Sequence, residues 1–161
     1  MKLEKELFET IVRFTPLISI DLIVFNEKKE VLAGWRKNAP AKNTWFIPGG
    51  RILKDETISE AFKRISLHEL GRELSIENAE FRGVYEHLYP GDNYQEDNSF
   101  GTHYIVLGFI ISGFEIPNQF PPEQHENYRW FSEKEILEDP LVHRNVKNYF
   151  LKGIGYRTCG K

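Results

Sequence analysis

The 161-residue chain predicts a single α/β domain, a sandwich in which helices cover strands, on three observations. Strand-like and helical periods are mixed along the chain, one central helix carries both of its caps, and no repeat, low-complexity tract or interdomain linker interrupts the order. With 40% hydrophobic and 14% aromatic residues, the chain has enough apolar surface for one sizeable core, so one domain is expected over residues 1–161.

The elements follow from periodicity and punctuation. Residues 3–13 read as a short amphipathic helix stopped by Thr15-Pro16. Over 17–25 the alternation is strand-like, with Ile18, Ile20, Leu22 and Val24 on one face and Asp21 on the other beside Ser19 and Ile23. The polar run 26–30 predicts a hairpin turn into a second strand at 31–36. Residues 81–89 and 104–114 predict two more strands, the second apolar enough to be buried on both faces. Between them lies a polar insert, 90–101, rich in Asp, Asn and Gly. After a loop at 117–122 come a short strand at 128–131, a capped helical turn at 132–137 and a last helix at 142–151.

The central helix is the best specified. Thr57 and Glu60 form a capping box, and Gly71 is a natural stop. Ile58, Ala61, Phe62 and Ile65 recur at intervals of three and four and predict one inward stripe. His68 and Glu69 continue that stripe, and a carboxylate in such a place is costly unless it meets a cation. That makes Glu69 a candidate metal ligand, with a buried ion pair as the plainer alternative. His68 reads as a packing or hydrogen-bonding residue. Glu56 and Arg64 fit either a structural ion pair where the loop joins the helix or a catalytic role.

Composition excludes several classes. A net charge of −3 gives no basic field for nucleic acid or an anionic membrane. The apolar stretch 17–25 is too short to span a bilayer and contains Asp21, and Glu4, Glu6 and Glu9 break any signal-peptide core. The single cysteine, Cys159, fits a reducing compartment, so the expectation is a cytoplasmic protein.

Spacing then points to a family. Gly50, Glu56, Arg64, Glu69 and Gly71 fall in register with the Nudix box, a glycine–glutamate–arginine–glutamate pattern spanning residues 50–71 here. Two glutamates of that pattern are absent, their places taken by Ile65 and His68. Ahead of the box, Gly49-Gly50 lack Cβ atoms, which lets a backbone carbonyl approach an ion closely. Beyond it, Ser19-Ile20-Asp21, Trp45 through Arg51, Thr102-His103-Tyr104 and Glu123-Gln124-His125 resemble the GDP-mannose mannosyl hydrolase subgroup of Nudix hydrolases.

That resemblance implies a Nudix-type α/β/α sandwich with a mixed β-sheet, and hydrolysis of GDP-mannose, or a related GDP-hexose, at the sugar's anomeric carbon. It implies one Mg²⁺ per subunit, replaceable by Mn²⁺, held by the Gly49 carbonyl, Glu69 and Gln124. His125 would be the general base, and Arg36 and Arg51 would hold the diphosphate, each being otherwise a solvated surface charge. Tyr104 would bond the leaving phosphate, or simply pack. Asp21 would orient the sugar, with a sugar hydroxyl or Arg36 as its expected partner. His87 alternates with Tyr85 and Tyr89 and reads as a core histidine or a site residue. A homodimer is also implied, the stripe Leu7, Phe8, Ile11 and Val12 serving either it or the protein's own sheet. Two other readings stay open: an ordinary pyrophosphohydrolase cutting P–O–P, and a non-catalytic nucleotide-sugar sensor.

Overall fold

In the computed structural model, residues 3–115 and 125–156 are described, with backbone placement only at 125 and 126. Four strands form a mixed sheet in the order β4 (Gly49–Arg51), β1 (Leu17–Val24), β6 (Thr102–Ile111) and β5 (Glu80–Tyr89). β1 and β6 are parallel, whereas β1–β4 and β5–β6 are antiparallel. A second, three-stranded sheet has the order β3 (Trp45–Phe46), β2 (Val31–Arg36) and β7 (His125–Phe131). The bridge from Phe25 to Val31 joins the two sheets where the predicted turn falls.

Helix α1 (Lys5–Phe14) precedes the sheets, and α2 (Ile58–Leu70) is the box helix. Residues on alternate sides of β1 enter different cores. Ile20, Leu22 and Val24 pack with Ala61, Phe62 and Ile65 of α2. Ile23, on the other side, joins Tyr85, Phe46, Val146 and Tyr149 beneath the short helices α3 (Glu133–Glu138) and α4 (Arg144–Lys147). That division is the expected α/β/α sandwich, and Asp21 shares the Ile23 side.

Local chemistry explains α2. Thr57 Oγ1 accepts from the Glu60 amide at 3.2 Å, the Glu60 carboxylate accepts from the Thr57 amide at 2.8 Å, and Gly71 closes the helix at φ 70°. Ile58 departs from the predicted stripe: at the first position of the helix it is 46% exposed, and the buried residues begin at Ala61. The last helix is shorter than its apolar pattern suggested. It is helical only over Arg144–Lys147, followed by turns in which the Tyr149 carbonyl is taken by Arg82 Nη2 at 2.9 Å. Ile18, placed with the buried face of β1 by alternation, is exposed near the strand's start.

Candidate functional site

The cleft is built where β4 lies against β1. Ladder hydrogen bonds run from the Leu22 amide to the Pro48 carbonyl at 2.8 Å and from the Ile52 amide to the Ile18 carbonyl at 2.9 Å. By alternation the intervening Asp21–Gly49 pair is not hydrogen-bonded, so the Gly49 carbonyl turns away from β1. The absence of a Cβ at Gly49 is what permits this fit. An added Cβ would meet the Ile20 carbonyl oxygen at 2.6 Å and crowd Asp21 Oδ1. At Gly50 it would reach Ile65 Cγ1 at 3.1 Å, which is how the glycine pair seats on the box helix.

Asp21, Gly49, Gly50, Arg36, Arg51, Tyr104, His87 and Glu69 all line one cleft of about 290 Å³, with Ser19, Phe46, Ile65 and His68 among its other walls. The structure therefore brings together six of the candidate side chains and the candidate glycine carbonyl. Gln124 lies outside the described residues. For His125 the backbone alone is described, and it pairs with Arg36 across β7 and β2.

Glu56 and Arg64 form the structural pair. Arg64 Nε lies 2.6 Å from Glu56 Oε1, Arg64 Nη2 donates to the Arg51 carbonyl at 2.8 Å, and Glu56 accepts from the Leu53 amide at 2.9 Å. The arrangement ties the loop between β4 and α2 to the helix. The arginine holds the Glu56 carboxyl below its usual range. With Glu56 so engaged, Glu69 is the box carboxylate that lines the cleft; it is 4% exposed, and His68 Nδ1 lies 3.1 Å from its Oε1. His68 is thus a hydrogen-bonding residue.

The two arginines rest on different aromatic rings. The Arg36 guanidinium lies 5.6 Å from the centre of the Phe46 ring, and its Nε donates to the Asn38 carbonyl at 3.3 Å. Arg51 lies 4.3 Å over Phe8, whose ring stands 4.9 Å from Tyr94. Phe8 of α1 thus packs within the chain, while Leu7 stays exposed. The insert 90–101 is folded against its surroundings: Asp92 Oδ2 accepts from the Ala41 amide at 2.9 Å, and Glu96 pairs with Lys42 at 2.8 Å. Tyr104 pairs with His87 across β5 and β6, and burial raises its phenol pKa, keeping the hydroxyl protonated as a donor.

Asp21 has a partner within the chain that its sequence context did not suggest: the Tyr149 hydroxyl donates to Oδ2 at 2.7 Å. The same hydroxyl lies 3.3 Å from His87 Nε2. Burial raises the Asp21 carboxyl to about 7 against the opposing effects of Tyr149 and Arg36. Burial, with His143 nearby, lowers the His87 imidazole to about 3, so that ring is neutral. Nothing in the local sequence marked Tyr149, which lies in an apolar helical pattern and reads as core.

The donor chemistry fits a hard cation: a buried carboxylate and a backbone carbonyl turned out of its ladder are oxygen ligands of the kind Mg²⁺ takes. Among the described residues no group of three or more His, Cys, Asp or Glu that could hold a metal ion is present. Also among the described residues, no helix is long and apolar enough to cross a membrane.

The NUDIX domain pattern matches residues 15–151. The low-salt glycan biosynthesis protein Agl8 of Haloferax volcanii is 33% identical over 144 residues, covering 88% of this chain and 85% of that protein. Among solved structures, the MutT NUDIX hydrolase from Burkholderia pseudomallei superposes with a TM-score of 0.63 at 24% identity, covering 81% of this chain and 93% of that one. The NUDIX domain of Shewanella oneidensis NrtR, solved with ADP ribose, gives 0.61 at 14% identity, covering 92% and 96%. At those identities the two structures speak for the fold alone. The chain belongs to the NUDIX domain family. Its class is that of a Nudix hydrolase, and enzymes of that class generally use divalent metals such as Mg²⁺ or Mn²⁺.

Proposed function

We propose that this protein hydrolyses GDP-mannose, or a closely related GDP-hexose, to GDP and the free sugar by water attack at the anomeric carbon. The observation that carries the reading is how few carboxylates the described residues bring to the cleft. Ile65, 1% exposed, packs beneath Gly50 where the box has a glutamate, and Glu56 is tied to Arg64, which among the described residues leaves Glu69 and Asp21. A site of that kind suits one cation beside a departing diphosphate better than a cluster activating water on phosphorus. The glycan-biosynthesis name of the Haloferax volcanii relative supports a nucleotide sugar as substrate.

In this reading a divalent cation held by Glu69, the Gly49 carbonyl and Gln124 would supply positive charge to the leaving diphosphate. Arg36 and Arg51 bond its phosphate oxygens as negative charge develops, and the protonated Tyr104 hydroxyl donates to the same group. Asp21 and His87 accept from hydroxyls of the sugar. His125 takes the proton from water as the C–O bond forms on one face and the bond to the diphosphate oxygen breaks on the other, inverting the anomeric centre. The pairing of His125 with Arg36, a residue of the cleft, supports placing the base at that cleft. We propose a homodimer in addition, on the exposed Leu7 and Phe14 of α1, and a cytoplasmic location suited to a single cysteine.

The test is incubation of GDP-mannose with Mg²⁺ in heavy-oxygen water. GDP and β-mannose carrying the label in the sugar are expected. GMP with mannose 1-phosphate, or label in a phosphate product, would return the protein to P–O–P hydrolysis.

A further inference from the structure

We infer that Tyr149 is the positioning residue of the sugar subsite, fixing through one hydroxyl which atoms of Asp21 and His87 accept hydrogen bonds there. The inference deepens the proposed function and rests on it for the identity of the sugar. Tyr149 is 1% exposed and does not line the cleft, whereas Asp21 and His87 do. It stands behind both of them.

A phenol has one proton to give. With Asp21 ionised, as it is above about pH 7, the phenol at 2.7 Å donates to Oδ2, so at 3.3 Å the His87 Nε2 is the partner that donates, to the phenol oxygen. Two consequences follow. Asp21 Oδ2 is engaged inside the protein, leaving Oδ1, the oxygen beside Gly49, to accept from a ligand. His87 is held as the Nε2–H tautomer, which makes Nδ1 an acceptor. Two fixed acceptors suit the hydroxyl donors of a hexose, and a diphosphate, which offers acceptors, gains nothing from them.

The surroundings are shaped for this contact. Gly108 lies beside Asp21 in the parallel register of β1 and β6, and a Cβ there would come within 3.3 Å of the Tyr149 ring. Tyr85 packs edge-on against that ring at 4.5 Å, and Arg82 holds the Tyr149 carbonyl from the other end. A phenylalanine would retain all of this packing and lose only the hydroxyl.

The experiment compares Tyr149→Phe, Asp21→Asn and the double variant with wild type, measuring kcat/KM for GDP-mannose and inhibition by GDP. Tyr149→Phe is expected to lower kcat/KM about tenfold to a hundredfold, the size of one hydrogen bond to a charged group, with GDP inhibition changed less than about twofold. In the Asp21→Asn background the same change should cost little. Equal losses for GDP-mannose and GDP, or full additivity, would overturn the inference, since a general loosening of the fold acts on both ligands. A second arm does not depend on the substrate: ¹⁵N NMR of histidine-labelled protein, recorded above about pH 7 where Asp21 is ionised, should show His87 protonated at Nε2 in wild type and a mixed tautomer in Tyr149→Phe. An Nδ1–H tautomer in wild type would overturn the inference even if GDP-mannose is the substrate. Failure of wild type to release mannose would overturn the proposed substrate and leave the NMR arm to decide the relay.

Discussion

Asp21 and His87 should have opposite effects on stability against pH, and replacing either one exposes the other. The Asp21 carboxyl rises from 3.8 to about 7 because burial disfavours its charge, with Glu69 adding to the rise while Tyr149 and Arg36 oppose it. Between those values the folded protein binds a proton that the unfolded chain has released, so this contribution is lost as pH rises. The His87 imidazole falls from 6.5 to about 3. Between those values the unfolded chain binds a proton that the folded protein excludes, so this contribution is lost as pH falls. From about pH 4 to 6.5 the two slopes cancel.

Asp21→Asn removes one of them. Relative to wild type, the variant should gain just over 1 kcal/mol per pH unit as pH rises, or about 2 kcal/mol between pH 5 and 6.5, the value set by one proton. His87→Gln should shift in the opposite sense by a similar amount. Urea unfolding in EDTA, followed by tryptophan fluorescence, measures both, and the difference from wild type at each pH is the quantity that matters. Parallel profiles for wild type and Asp21→Asn would show that Asp21 has the same proton affinity folded and unfolded, and the burial-driven rise of its carboxyl would then be refuted.

Gly49→Ala should destabilise by about 1–3 kcal/mol on the scale of an overpacked core, because both the Ile20 carbonyl and the Asp21 backbone must shift; urea unfolding checks it. Glu69→Gln should lose metal-dependent turnover by orders of magnitude with an unchanged melting temperature, and near-normal activity at ordinary Mg²⁺ would remove Glu69 from the metal site. His125→Gln should lower kcat about a hundredfold to ten-thousandfold and abolish the acid limb of the pH–rate profile, whereas a retained limb would assign the base elsewhere. Ile65→Glu should cost about 3–5 kcal/mol, the scale of an unpaired buried charge, without creating pyrophosphohydrolase activity; release of GMP from GDP-mannose by this variant would contradict that expectation.

The strands and the box helix were legible because their signals are local. Thr57, Glu60 and Gly71 cap α2 with atoms only a few residues apart, and β2 has the bounds its alternation suggested. The division of strands between two sheets was not legible. Nothing in the order of apolar runs states that β2 leaves β1 to pair with β7, since the choice rests on contacts about a hundred residues apart. The last helix failed for the opposite reason. Its apolar spacing is helical, but Val146 and Tyr149 are held by the core and the Tyr149 carbonyl by Arg82, so the pattern is satisfied by turns.

At the site, the residues that announce themselves are those whose chemistry is out of place in their own segment. Asp21 in an apolar strand and Glu69 on an apolar stripe both demand a partner, and each lies in the cleft. Tyr149 gives no such signal: a tyrosine among Val, Phe and Leu has an ordinary reason to be there. Its role appears only when β5 brings His87, β1 brings Asp21, and Gly108 leaves space for the ring that joins them. Ile65 is the converse case. From spacing it reads as a carboxylate lost, whereas in the fold it is a residue gained, filling the space under Gly50 that brings β4 down onto the helix. The missing charge and the tight seating of the glycine pair are one feature, which is why a glutamate at 65 would meet apolar neighbours and Gly50 in place of a cation.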